Sequence, residues 1–212
     1  MTYINVKTYW AIDVYPDRLC KEEPIKTIIY MVRHAESPYN EGTERTRELT
    51  LKGRENAAKV TEILKEEGIH TIISSPYARA VLTLEGVATV LGLEIQLMED
   101  LRERHFSDGV VADEDFASAE QKMFDDPDYA LPGGESNRVC QHRAVSVMKQ
   151  ILEEYEGGNI AIGTHGHVMT LIMNEFDPSY GLHFMNQTTK PDIYQLQFDG
   201  LTLEKVRRLW QE

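Results

Sequence analysis

The sequence predicts an α/β fold: a three-layer sandwich with a mostly parallel central sheet and helices on both faces. Three observations predict it. Short β-branched runs recur along the chain and alternate with longer segments of helical periodicity. The runs are apolar at nearly every position, as in strands covered on both faces. Glycine or proline stands at most of the joins between the two kinds of segment.

The first run, Thr27 to Val32, reads as a buried strand. Leu51 to Glu67 carries apolar or small residues at 57, 58, 60, 63 and 64, a helical stripe that stops at Gly68. Thr71 to Ser74 is the second strand. Ser75 as N-cap and Pro76 at the first helical position then open a helix that runs to Leu91 and closes at Gly92. Leu93 to Met98 is the third strand. Asp113 to Phe124 forms a short acidic helix ended by Asp126-Pro127, and a loop at Pro132-Gly133-Gly134 leads into a long helix from Glu135 to Tyr155. Gly157-Gly158 breaks that helix before a fourth strand, Asn159 to Thr164, and a helix from Gly166 to Phe176. Ile193 to Phe198 and Leu201 to Val206, joined by Asp199-Gly200, read as a terminal hairpin. The chain has no internal repeat, low-complexity tract or linker, so residues 1–212 are read as a single domain. Within it, 1–24 form an N-terminal extension, with Val6 to Ile12 a candidate edge strand, and 104–134 form an acidic cap.

A chain of 212 residues, 42% hydrophobic and 27% charged, can bury one sizeable core. No run approaches the ~20 apolar residues of a membrane span, and Met1 to Trp10 has no basic region leading into an apolar stretch. Cys20 and Cys140 have no CxxC spacing and suggest no disulfide framework. The expected compartment is the cytoplasm. With 22 Lys and Arg against 35 Asp and Glu, the net charge of −13 argues against nucleic acid and anionic membranes as partners. The same field opposes a phosphorylated ligand, so a phosphate site here requires a strong local cluster of cationic groups.

Such a cluster is present. Arg33-His34 ends the first strand, Arg79 lies in the first turn of the helix after the second, and His165 ends the fourth, directly before a helix. In open α/β sheets, ligands bind outside the carboxyl ends of the strands. The helix opening near Pro76 would turn free backbone N–H groups toward the same edge. One Arg-His pair alone is more often structural than catalytic; three strand ends converging on one edge make a phosphate site. A metal site from His34, His165 and His167 is the competing reading, but no HExxH or cysteine set accompanies it. His70, His105, His142 and His183 read as surface or core positions.

These residues resemble the histidine phosphatase superfamily, which includes the cofactor-dependent phosphoglycerate mutases. Arg33-His34-Ala35-Glu36-Ser37 with Asn40 is similar to its Arg-His-Gly-Glu signature, and Leu49-Thr50-Leu51-Lys52-Gly53 to its Leu-Thr-x-x-Gly segment. Ser74-Ser75-Pro76-Tyr77-Ala78-Arg79 looks like the second arginine motif, and Leu101-Arg102-Glu103-Arg104 like the acid-bearing segment. Pro132-Gly133-Gly134-Glu135-Ser136 and Thr164-His165-Gly166 complete the order. There are departures. Ala35 replaces a glycine and must avoid glycine-only conformations. Thr46 stands where an Asp often precedes the Leu-Thr motif. His167 replaces a second glycine and could add a substrate contact.

The resemblance implies a phosphoglycerate mutase-like fold and phosphoryl transfer without metal or other cofactor. It implies His34 as nucleophile through a phosphohistidine, Glu103 as general acid and base, and Arg33, Arg79 and His165 as groups that hold the phosphoryl oxygens. Asn40 and Gly166 are carried over as further substrate contacts. Glu36 is expected to orient the first loop and Glu135 to sit at a helix start. The expected partner is a small phosphorylated substrate, with a homodimer as a candidate assembly. The mutases carry a long insertion between the acid segment and the Gly-Glu-Ser motif, whereas here only 31 residues lie between Glu103 and Glu135 and the stretch is acidic. Phosphatase is therefore the expected activity. Mutase-type isomerisation, or a catalytically silent domain that binds a phospho-ligand, is the alternative.

Overall fold

The computed structural model describes residues 25–109 and 112–211; the candidate edge strand at Val6 to Ile12 lies outside them. Six strands form one sheet: β1 (Lys26–Arg33), β2 (Thr71–Ser74), β3 (Ile95–Leu97), β4 (Asn159–Thr164), β5 (Asp192–Asp199) and β6 (Thr202–Arg208). Their order is β3-β2-β4-β1-β5-β6. The first four are parallel, and β5 and β6 add the hairpin antiparallel to β1. The helices are α1 (Leu51–Leu64), α2 (Ala78–Leu91), α3 (Asp113–Asp125), α4 (Asn137–Glu154), α5 (Gly166–Phe176) and α6 (Leu182–Gln187). The sheet is mixed, with helices on both sides, as the alternating runs predict.

Side chains alternate across β1 and so divide the core into two layers. Ile29 and Met31 pack with Ala144, Met148 and Ile172 of α4 and α5. Tyr30 and Val32 pack with Val60, Leu64, Leu84 and Val87 of α1 and α2. Register then fixes the functional edge. Arg33 pairs with Thr164, and Ser74 with Gly163, so β1, β4 and β2 end level within one residue.

Some boundaries differ from expectation. Helix α2 begins at Ala78, and its N-cap position is Tyr77, which offers no side-chain cap. Ser75 stands two residues before that position; its hydroxyl accepts from the Tyr77 N–H at 3.3 Å and lies 2.7 Å from His165 Nε2 across the edge. Helix α4 begins at Asn137, with Ser136 Oγ accepting from Val139 N–H at 3.3 Å as its cap. A 3₁₀ turn at Glu99–Leu101 and the six-residue α6 go unread in the sequence, being too short to display helical periodicity. Among the described residues no non-glycine residue has positive φ, so Ala35 tolerates its place in the signature. No helix among them is long and apolar enough to cross a membrane.

Candidate active site

His34 follows the last residue of β1 and is 4% exposed. Its backbone N–H continues the sheet by donating to Thr164 O at 3.0 Å. The Ala35 N–H donates to Thr83 Oγ1 of α2 at 2.9 Å, which fixes the turn after the strand. The imidazole Nδ1 lies 2.7 Å from the Ala35 carbonyl. A carbonyl only accepts, so the proton sits on Nδ1 and the lone pair on Nε2. Burial, then the charges of Arg79 and Arg33, hold the His34 pKa well below the ordinary histidine range. The ring is therefore neutral near pH 7.

Arg33 ends β1 and donates from Nη1 to the Thr188 carbonyl at 3.0 Å and to the Thr188 hydroxyl. Gly166, the first residue of α5, makes room for it: a Cβ there would stand 2.8 Å from the Arg33 guanidinium carbon. Arg79, in the first turn of α2, is 1% exposed. Its Nη2 donates to Glu44 Oε2 at 3.1 Å, and Nη1 to the Glu44 carbonyl. Glu44 also takes both fork donors of Arg47, at 3.1 and 3.2 Å. A carboxylate thus rests on the guanidinium predicted to take phosphate. Burial lowers the pKa of both Arg33 and Arg79, yet a guanidinium remains charged.

His165 is the residue before α5 and is fully buried. Its ring stands edge-on to His34, centroids 5.3 Å apart, and edge-on to Tyr77 at 5.1 Å. Burial, then Arg79 and His34, lower its pKa well below the usual value. Glu103 lies just beyond the 3₁₀ turn, at the start of α5. Its Oε1 accepts from the N–H groups of Arg104 (2.9 Å) and Val168 (3.3 Å), and its Oε2 from that of His167 (3.4 Å). The carboxylate is therefore anchored to the free N–H groups of a helix N-terminus.

Arg33, His34, Arg79, Glu103 and Gly166 line one cleft of about 520 Å³. Every buried side-chain polar atom without a hydrogen-bond partner, among the described residues, lies at this edge: Arg33 Nε, Arg79 Nε, Arg104 Nε and Nη2, Thr164 Oγ1 and His165 Nδ1. Buried donors are normally satisfied. A set of unsatisfied donors around a neutral imidazole can receive the oxygens of an anion.

Asn40 is not brought in. It is exposed and lies outside the cleft lining, whereas its neighbour Tyr39 lines the mouth, held between Arg47 and Lys190. His167 is 8% exposed and lines the cleft, its Nε2 held 2.8 Å from Asn137 Oδ1 of α4; among the described residues no three His, Cys, Asp or Glu side chains are grouped so as to hold a metal ion. Glu36 accepts from the Thr50 hydroxyl at 2.8 Å and so orients the first loop. Glu135, ahead of α4, pairs with Arg143 through two bonds of 2.7 Å. Sequence reasoning missed Glu44, Arg47, Arg104, Glu120 and Lys190. Arg104 alone carried a signal, as the neighbour of Glu103 in the Leu101-Arg102-Glu103-Arg104 segment. The others come from loops and the cap, which only folding brings to the cleft.

The sequence model of the histidine phosphatase superfamily (branch 1) matches residues 29–207. Phosphoglycerate mutase-like protein 4 of Arabidopsis thaliana is 31% identical over 185 residues, which cover 81% of this chain and 80% of that protein. The probable phosphoglycerate mutase GpmB of Salmonella typhi is 30% identical over 152 residues, 65% of this chain and 69% of its own length. Among solved structures, Bacillus stearothermophilus YhfR superposes with a TM-score of 0.69 at 27% identity, over 84% of this chain and 94% of that one. A mycobacterial glucosyl-3-phosphoglycerate phosphatase shares the fold, with a TM-score of 0.69 at 21% identity over 87% and 97% of the two chains. With the match running from β1 into β6, the chain belongs to the histidine phosphatase superfamily and is a phosphoryl-transfer enzyme that works through a histidine.

Proposed function

We propose that the protein is a metal-independent phosphomonoesterase of the cytoplasm, acting on a small phosphorylated metabolite with His34 as nucleophile. The observation that carries this reading is the neutral His34 ring, its Nδ1 tied to Ala35, surrounded by buried donors with no partner. His34 Nε2 attacks phosphorus, and the bond from phosphorus to the leaving oxygen breaks. That oxygen takes a proton from Glu103, which enters this step as the carboxylic acid and leaves it as the carboxylate. Arg33, Arg79 and His165 Nδ1 spread over the oxygens whose charge grows. Ser75 Oγ accepts from Tyr77 N–H at 3.3 Å and gives its own hydrogen to His165 Nε2, which leaves the His165 proton on Nδ1. Water then attacks the phosphohistidine, Glu103 takes its proton, and the N–P bond breaks to free phosphate. Bound phosphate displaces the Glu44 carboxylate from Arg79.

The names of the two curated relatives favour a second reading, mutase-type isomerisation. It requires an acceptor held beside the phosphohistidine while water is excluded. The short acidic cap is a poor clamp for a bisphosphorylated cofactor, which supports hydrolysis.

The test is rapid quenching with a slow substrate. Acid-labile, base-stable phosphate on His34 is expected, with turnover in His34→Ala reduced on the order of 10⁴-fold or more. Activity is expected to survive dialysis against EDTA, because guanidinium groups supply the positive charge. Label on another residue, or loss of activity restored by zinc, would overturn the assignment.

A further inference from the structure

Besides the residues assigned to the phosphoryl group, the cleft is lined by Arg104, Phe106, Phe116 and Glu120. Arg104 follows Glu103 in the chain and is 5% exposed. One of its donors, Nη1, is given to the Glu135 carbonyl at 2.5 Å, while Nε and Nη2 are buried with no partner. Its guanidinium rests over the Phe106 ring, 4.7 Å from the centroid. Glu120 comes from the cap helix α3, and its side chain is only 16% exposed. The nearest group able to carry positive charge is His167 Nδ1, at 3.9 Å, beyond hydrogen-bond reach. His167 is itself kept neutral by burial. Phe106 and Phe116 stack with centroids 4.3 Å apart and planes 14° from parallel, Phe116 being 43% exposed.

We propose that Arg104 and Glu120, with the Phe106–Phe116 wall, form a leaving-group subsite for a sugar, so that the substrate is a sugar monophosphate. This rests on the phosphomonoesterase reading above and names its substrate class. Two partnerless donors of Arg104 and a carboxylate that takes no hydrogen bond from the described residues, lining the same cleft, suit a ligand that accepts from one and donates to the other. An alcohol does both through a single oxygen, and neighbouring hydroxyls repeat it at sugar spacing. The opposite charges nearly cancel, which suits a neutral leaving group. A second phosphate or a carboxylate would face Glu103 and Glu120 together. The stacked rings offer a flat apolar face to the C–H side of a pyranose. Burial pushes the Glu120 carboxyl up against the pull of Arg104, as expected of a carboxylate that lacks a hydrogen-bonded partner.

The experiment compares kcat/KM of the full chain on p-nitrophenyl phosphate, propyl phosphate, O-phosphoserine, glucose 6-phosphate and ribose 5-phosphate. Propyl phosphate matters because it has an alkoxide leaving group of the same kind and no hydroxyl. A sugar phosphate is expected to exceed propyl phosphate by roughly tenfold or more, the worth of a hydrogen bond to a charged group. Glu120→Ala should remove most of that preference, Glu120→Gln less, and Phe116→Ala should raise KM for the sugar phosphate more than for propyl phosphate. The two Glu120 variants and the exposed Phe116 variant keep the test open should one of them fold poorly. Propyl phosphate turned over as well as the sugars, O-phosphoserine preferred to both, or equal losses on every substrate in the variants would each overturn the subsite while leaving the phosphatase reading standing. Failure of wild type on p-nitrophenyl phosphate and all the others would instead overturn the underlying reading, and the subsite with it.

Discussion

Gly166 shows how much of this site depends on the absence of atoms. It is the first residue of α5, without positive φ, so alanine suits the helix at least as well as glycine. The obstacle is the Arg33 guanidinium, 2.8 Å from where the Cβ would stand and held in place from the other side by Thr188. Gly166→Ala must push that guanidinium out of the cup. The expected result is a loss of roughly 10²-fold in kcat/KM, the scale of removing one charge-stabilising donor. The melting temperature should hold within about 4 °C. Steady-state kinetics and a thermal melt on the same preparation check both halves. A variant that melted early but kept its specific activity would show that Gly166 serves packing and not Arg33.

At the scale of elements, the cap of α1 ties a helix to the loop that follows His34. Thr50 Oγ1 accepts from Gly53 N–H at 2.9 Å and donates to Glu36 Oε1 at 2.8 Å, two residues beyond His34. Thr50→Ala loses both bonds. A stability loss of about 1 kcal/mol is expected from the cap alone, read as a fall in the urea midpoint, together with a lower kcat/KM. Thr50→Ser keeps the hydroxyl and should restore both. This cap and its Leu-Thr-x-x-Gly context are legible in the sequence. Ser75 is the instructive contrast: Ser-Pro before a helical stripe is a good capping pattern, but the helix starts two residues later than it implies, and the hydroxyl serves both the Tyr77 N–H and His165, ninety residues later. A local pattern shows the bond to the nearby N–H, whereas the buried imidazole that takes the same hydroxyl comes only with the fold.

At the scale of the whole molecule, His34, His165 and His167 are all buried and all have pKa values lowered, chiefly by burial. In the unfolded chain each binds a proton near pH 6.5, whereas in the folded state each stays neutral to lower pH. The unfolded state therefore binds more protons below that value, and stability falls as pH falls. Each histidine contributes a slope of up to about 1.4 kcal/mol per pH unit. Urea unfolding between pH 7.5 and 5.5 should show the decline, and His167→Gln should make it shallower while wild type and variant converge in slope above pH 7. An unchanged slope would mean that His167 titrates normally in the fold.

The sequence by itself determined the α/β class, the succession of strands and helices along the chain, and the placement of Arg33, His34, Arg79 and His165 at strand ends or the helix starts that follow them. These are fixed by local periodicity and by the ends of strands, where a parallel sheet must place its ligand. Glu103 was also readable, from its motif. Only the tertiary structure decided what surrounds them: the Nδ1 proton of His34 on the Ala35 carbonyl, Glu44 resting on Arg79, the position of Asn40 outside the cleft lining, and Arg104 and Glu120 lining the same cleft. Each of these depends on the direction of a loop or on a contact between distant segments. Such directions are set by the sum of many small packing and desolvation energies across the fold, and no local pattern of residues encodes that sum.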